Sequence, residues 1–349
     1  MKQSAFIAKV FILVCILAGL FVCDLSVGPV NLFSLGPDDP LFSNILFDIR
    51  LPKALTCVIA GSGLALCGLL MQSLFRNPLA GPYVLGVSSG SGLFVAIATM
   101  LLTSVSISGL FLVGKSIVTL FSIAGAFCVT LIILAVSKKT KSNVTILLVG
   151  LMLAQILGAL QNLIEFSSSA DNLKTFILWS MGSVGSTTLK DLLFILPFYL
   201  LAVTASFFLV KSLNAILLNE QYAQNLGINV NTLRLTIICI TAILVGIITA
   251  FCGPIAFVGV SVPIASRLFF KTSHHLHQIV FCLLLGACIL VGSDLICQLW
   301  NSEIVAFLYY LVFDVKLNAQ VMLPINTVTT LIGSPVVIYL LFKSKLSIQ

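Results

Sequence analysis

The sequence predicts an all-α, polytopic membrane protein of about ten transmembrane helices, with residues 1–349 forming one transmembrane domain. Three observations carry that prediction. Of the 349 residues, 59% are hydrophobic and only 8% are charged, with a mean hydropathy of +1.18. A soluble domain carries about 25% charged residues, enough to cover its surface. The apolar residues also fall in continuous runs broken by short polar stretches, rather than in the alternating segments of about 10 residues that build a membrane barrel. Finally, a backbone in lipid must bond its own N–H and C=O groups, which forces such runs into helices. These facts exclude a soluble enzyme and a disordered chain. A nucleic-acid binder is excluded too, because the net charge of +7 is scattered and forms no stripe.

The elements follow in order. The run 5–23, preceded by Lys2 and Lys9, has the look of a signal peptide, but no small-x-small cleavage site follows, so it reads as a retained helix. Further spans are predicted at 54–72, 83–102, 110–136 and 144–164, then at 191–210, 232–251, 255–270, 278–297 and 325–342. The stretch 173–183 is long enough only for a half-helix. Segment 211–231 is too polar to span. Its apolar residues Leu213, Ile216, Leu217, Ala223 and Leu226 are close to helical spacing, and Gly227 suits a C-cap. It is expected to form a short amphipathic helix at the membrane surface that presses into a groove on another protein, the alternative being a helix lying on lipid. The ten cysteines lie mostly inside apolar runs, where they act as small hydrophobes, and no C-x-x-C pair occurs.

Charge sets the orientation. With the N-terminus in the cytoplasm, twelve basic residues fall inside, among them Arg76, Lys138, Lys139, Lys211 and Arg234. Six fall outside: Arg50, Lys53, Lys115, Lys174, Lys190 and Lys316. This agrees with the positive-inside rule and places both termini in the cytoplasm. Of the acidic residues only Glu220 falls on the cytoplasmic side, so it is a candidate recognition charge.

Two enzyme motifs are set aside. Residues 109–116, GLFLVGKS, fit the phosphate-binding G-x-x-x-x-G-K-[ST] pattern, but Leu110, Phe111, Leu112 and Val113 fill it and Lys115 falls outside, away from ATP. Residues 86–90, GVSSG, fit the nucleophile-elbow pattern around Ser88 and Ser89, but the only histidines, His274, His275 and His277, fall in one loop expected to be solvated. The small residues of 86–92 are better explained as a close helix contact. The three histidines, without Cys or acidic neighbours, make a poor metal site. The spans hold almost no mid-membrane charge; instead Pro78 and Pro82, Gly253 and Pro254, Gly259 and Pro263, and Gly333 and Pro335 interrupt them. That pattern suits a conduit driven by a partner better than a transporter coupled to an ion gradient, which remains the alternative.

At this point the chain resembles a known family, the permease subunits of binding-protein-dependent ABC importers for iron–siderophore complexes, haem and cobalamin. Arg50-Leu51-Pro52-Lys53 is similar to its L-R-x-P-R element. Gly68, Gln72, Asn77-Pro78-Leu79-Ala80, Pro82, Leu85 and Gly86 resemble its G-x-x-x-Q…N-P-L-A-x-P…L-G signature. Glu220, Ala223, Leu226 and Gly227 match E-x-x-A-x-x-L-G, and Gly253, Phe257, Gly259, Pro263 and Arg267 match G-x-I-x-F-V-G-L-x-x-P-H-x-x-R. The resemblance implies a type II importer fold working as a dimer with a second permease copy or paralogue. Two cytoplasmic ATP-binding subunits would lie below it and a substrate-binding protein would dock outside. Asn219, Glu220, Ala223, Leu226 and Gly227 would form the ATPase coupling segment. Arg50 and Lys53 would dock the binding protein, and Asn77, Leu79, Asn143 and Val144 would lie near the cytoplasmic gate. Gln72, Pro78, Gly86, Gly253, Phe257, Gly259, Pro263 and Arg267 would form the packing and helix-break motif. No cofactor is expected on this chain, ATP and Mg belonging to the partner.

The sequence departs from the pattern at Ile264, where the family has His, at Gln298, where it often has Arg, and at Met322 and Asn326. It also carries extra residues, about 303–320, read as an outer interfacial helix. The expected function is transport of a ferric siderophore or haem, with cobalamin as the alternative cargo.

Overall fold

The computed structural model describes residues 3–28, 30, 40–104, 111–140, 142–300, 310–311 and 323–346, and no strand occurs among them. Helix α1 (Gln3–Ser26) is followed by a single turn, α2 (Pro40–Ser43), and a π-helical stretch, Asn44–Arg50, that runs into α3 (Leu51–Phe75). A 3-10 turn, Pro82–Leu85, precedes α4 (Val87–Ser104). Then come α5 (Phe111–Lys139), α6 (Asn143–Phe166), α7 (Ala170–Ser180), α8 (Leu189–Phe208), α9 (Val210–Leu218) and α10 (Glu220–Asn225). The chain closes with α11 (Val230–Cys252), α12 (Val258–Phe270), α13 (His275–Trp300) and α14 (Ile325–Leu346).

Among the described residues, seven helices are long and apolar enough to cross a membrane, and three shorter apolar ones lie in α4, α12 and α14. Together they are the predicted ten. At 1.5 Å per residue the 23 residues of α11 reach about 35 Å, more than the ~30 Å hydrocarbon core, whereas α12 with 13 residues reaches only about 20 Å. The turn between them is a true interruption of the membrane path. The extra segment 303–320 lies outside the described residues except at 310–311.

Helix ends fall where local chemistry puts them. Thr188 and Asp191 form a reciprocal capping box: each side chain accepts the other's backbone N–H, at 2.9 and 3.3 Å. Helix α3 carries Pro52 in its first turn, where a missing N–H costs no helix bond, and stops at Arg76, which turns left-handed at φ 49°. From Ala60 to Phe75 every residue of α3 is buried, so it is the axis of the bundle. Helix α1 is its opposite: only Leu13 and Asp24 are buried, and Phe11 is 67% exposed. Such an apolar outer face is at home only in lipid.

The axis is built on a close crossing. A Cβ on Gly68 would stand 1.6 Å from the Gly259 carbonyl oxygen, and one on Gly61 would stand 2.2 Å from that of Gly286. Pro263, four residues beyond Gly259, has no N–H to bond that carbonyl in the helix, so the Gly259 oxygen turns to the bare Cα of Gly68. One turn on, Gln72 Nε2 donates to the Val260 carbonyl at 3.1 Å. Gly68, Gln72, Gly259 and Pro263 therefore form one unit that locks α12 across α3.

Candidate functional site

One end of the bundle carries the segment singled out as a partner contact. It is not one helix but two. Helix α9 leaves α8 after Leu209 alone, and Asn219 breaks it in an extended conformation, φ −164° and ψ 153°. The break follows from side-chain chemistry: Asn219 Oδ1 accepts the Gln221 N–H and so caps a new helix, α10. Gly227, at φ 81°, ends α10. The Ile228 N–H bonds the Ala223 carbonyl at 3.0 Å and the Gly227 N–H bonds Gln224 at 2.9 Å, a Schellman turn. Asn229 Oδ1 then caps α11 by accepting the Thr232 N–H.

The apolar residues of this segment divide into two faces. Leu213, Ile216 and Ala223 are fully buried against the bundle, whereas Leu217, Leu218, Tyr222 and Leu226 are exposed. Glu220 is not an isolated charge. Its Oε1 lies 3.9 Å from Arg234 Nη2; the Arg234 side chain is 2% exposed and that of Glu220 32%. Arg234 also donates to the Thr140 carbonyl at 3.4 Å. The ion pair thus holds α10 to α11 and to the end of α5, and leaves the Glu220 side chain about one-third exposed. The sequence pattern missed Arg234, because a pairing across 14 residues follows no helical spacing.

The expected gate residues occupy the same end. Asn77 Oδ1 accepts the Leu79 N–H at 2.9 Å, a turn that leaves Leu79 48% exposed. Asn143 opens α6 behind the N-cap Ser142, and Val144 is 67% exposed. Of the three histidines expected in a solvated loop, His274 is there and exposed, whereas His275 and His277 lie in the first turn of α13. His275 starts α13 and is buried, bonded to Ser73 and Asn214. Arg267 lies half-buried in the last turn of α12.

Deeper in the bundle the interrupted helices meet. Gly253, at φ 70°, ends α11, and Phe257, at φ 66°, starts α12 in a conformation that a bulky residue adopts only under constraint. Between them the buried backbone finds partners outside its own helix. Tyr83 Oη accepts the Ile255 N–H at 2.7 Å, and Asn326 Oδ1 accepts the Ala256 N–H at 3.0 Å. The Cys252 carbonyl accepts the Ser183 N–H at 2.8 Å. Pro78 and the 3-10 turn ending at Gly86 bring Tyr83 here, and Gly333 leaves the room that the Phe257 side chain fills.

The opposite end holds the two cations expected to dock a partner, and both make contacts within the chain. Arg50 is 4% exposed. Its guanidinium donates to the carbonyls of Leu25 at 2.8 Å, Ser26 at 2.9 Å and Val30, and so closes the C-terminal end of α1. Lys53 Nζ lies 2.7 Å from Asp294 Oδ2 and 3.9 Å from Asp24 Oδ1. Gln298 Nε2 donates to both carboxylates, at 2.5 Å to Asp24 and 2.8 Å to Asp294. The physical reason is desolvation: α1 and α13 bring two carboxylates into a dry contact, and buried carboxylates draw in whatever cation and donors they can reach. Gln298 serves as the amide between them. Neither cation stands free at the surface.

The remaining motifs take structural roles. Gly114, Lys115 and Ser116 lie within α5, a continuous helix without a phosphate loop. Ser88 Oγ meets Thr249 Oγ1 of α11 at 3.3 Å, a contact between helices. Among the described residues no group of three or more His, Cys, Asp or Glu is placed to hold a metal ion.

Comparison with known proteins agrees with this architecture. Residues 11–343 match the FecCD transport family. The chain is 30% identical over 320 residues to the hemin transport system permease protein HmuU of Yersinia pestis, covering 90% of this chain and 88% of that one. It is 32% identical over 339 residues to the vitamin B12 import system permease protein BtuC of Escherichia coli O127:H6, covering 96% and 94%. A solved inward-facing structure of a putative metal-chelate type ABC transporter superposes with a TM-score of 0.80 at 28% identity, covering 96% of this chain and 99% of that one. The fold is that of an ABC type II importer permease.

Proposed function

The chain belongs to the FecCD transport family, and from that premise we propose that it is the membrane subunit of an importer that carries a bulky metal chelate, a ferric siderophore or haem, driven by ATP hydrolysis on a separate partner. The observation that carries the proposal is the α9–α10 pair. It is too short to span, its inner face is locked to the bundle, and its outer face presents Leu217, Leu218, Tyr222 and Leu226 beside a partly open carboxylate. An apolar knob with one charge is suited to a groove on another protein. In this reading that protein is one of two ATPases lying on the cytoplasmic side, in the inner membrane of a bacterium, and both termini share that side. A second permease copy or paralogue would complete the path, and an outer binding protein would deliver the cargo.

The mechanism follows from the geometry. ATP binding moves the partner groove and with it α9–α10. Their buried inner face passes the displacement to the bundle, which shifts between outward- and inward-facing populations. The junction at Gly253–Phe257 and the turn at Asn77–Leu79 are the segments able to change course, because their backbone is held by side chains and not by a continuous helix. Haem and vitamin B12, the cargoes named for two relatives, are both large metal chelates, which favours that substrate class; cobalamin is the second reading. Binding of haem against cyanocobalamin by the intact importer separates the two.

The coupling role has a direct test. Glu220→Lys places a cation 3.9 Å from Arg234 and reverses the open charge. ATP-driven uptake is expected to fall at least about tenfold, as loss of a charge pair worth more than ~1.4 kcal/mol implies. Uptake at the wild-type rate with normal ATPase binding would remove Glu220 from the coupling contact.

A further inference from the structure

Helix α9 is tied sideways into the bundle, not only through the chain. The hub is Asn214. Its Oδ1 accepts the backbone N–H and the ring Nδ1–H of His275, each at 2.9 Å, and its Nδ2 donates to His274 Nε2 at 3.3 Å. A backbone N–H can only donate, so the amide orientation is fixed and Nδ1 carries the ring proton. His275 Nε2 lies 2.8 Å from Ser73 Oγ, whose single proton is shared between that nitrogen and the Leu69 carbonyl of its own helix, 2.7 Å away. Ser73 and His275 are each 2% exposed, so water does not compete for these bonds. A second tie lies beside the first: Arg76 Nη2 donates to the Ile216 carbonyl of α9 at 2.5 Å.

Both ties end on the same turn of α3, at Ser73 and Arg76. Gln72, next to Ser73, holds the Val260 carbonyl of α12. The covalent route from α10 to α11 instead passes through the Gly227 turn, where even an added Cβ would meet nothing within 4 Å. A turn in open space yields under load, whereas buried, fully paired bonds transmit it.

We propose that Asn214 and His275 are positioning residues that carry the displacement of α9–α10 into the end of α3, and through Gln72 into α12, beside the Glu220–Arg234 ion pair that ties α10 to α11. The proposal rests on the reading of α9–α10 as the coupling segment, and its test separates the two. Hydrogen exchange is measured on the intact complex of this chain with its co-purifying ATPase, with and without ATP. In the wild type, ATP changes exchange both at 220–225 and at 71–76. In Asn214→Ala the response at 220–225 persists and that at 71–76 is lost. Ser73→Ala, which leaves α9 untouched, gives the same selective loss, and decides the matter if the first variant fails to assemble. An unaltered response at 71–76 in the variants overturns the relay while leaving the coupling segment intact. A silent 220–225 in the wild type, with the ATPase bound, overturns the coupling reading and the relay with it.

Discussion

Gly68→Ala is expected to destabilise the fold by about 3 kcal/mol or more, at or beyond the upper end of ordinary overpacking. The added methyl would stand 1.6 Å from the Gly259 carbonyl oxygen. That atom is backbone, in a helix whose next turn is fixed by the Gln72 bond to Val260, so relief requires α12 to move away from α3. The natural control is Gly158→Ala in α6, where the methyl meets nothing within 4 Å and helix propensity favours alanine by up to about 1 kcal/mol. Thermal unfolding in detergent checks both, followed by a thiol-reactive dye after the exposed Cys15, Cys23 and Cys128 have been blocked, so that the signal comes from buried cysteines such as Cys57 and Cys67. Equal melting temperatures for Gly68→Ala and wild type would mean that the crossing is looser than described.

The second large effect is expected at Lys53. Lys53→Met removes the cation that stands between Asp24 and Asp294 and leaves two buried carboxylates to face each other. Loss of one member of a buried ion pair costs about 3–5 kcal/mol. Adding Asp294→Asn removes one of the opposed charges, so the double variant should recover part of that loss; in a double-mutant cycle the coupling energy is then large. Additive losses would show that Lys53 and Asp294 act independently. The same cluster changes how docking at this end is viewed. A partner offering acidic side chains would have to compete with Asp24 and Asp294 for Lys53, and Arg50 is committed to the end of α1.

The helices were legible because lipid imposes one rule on every span, and the Gly227 cap because it acts within four or five residues. The α9–α10 segment was legible as an amphipathic pattern, but its division at Asn219 was not. An asparagine in such a run serves equally as a polar helix position or as the cap of a new helix, and tertiary contact decides. The site charges were harder for a related reason. Asp24, Lys53 and Asp294 lie on three helices far apart in sequence, so their charges could be counted but their pairing could not be read. His275 shows the same limit: three histidines in four residues look solvated until α3 and α9 supply Ser73 and Asn214. The paired glycines carried a signal as small residues within spans, yet which glycine faces which depends on the crossing of α3 with α12 and α13.

The central claim is that this membrane subunit takes its driving force from a partner through α9–α10. Vesicles holding the purified chain with or without its co-purifying ATPase, and with the binding protein supplied outside, put this to the test, using haem, cyanocobalamin and a ferric hydroxamate siderophore as probes. Accumulation of the cargo is expected to require the ATPase and internal nucleotide, and to persist when ionophores collapse every ion gradient. Accumulation of any of the three by the chain alone, under a proton or sodium gradient, would contradict it.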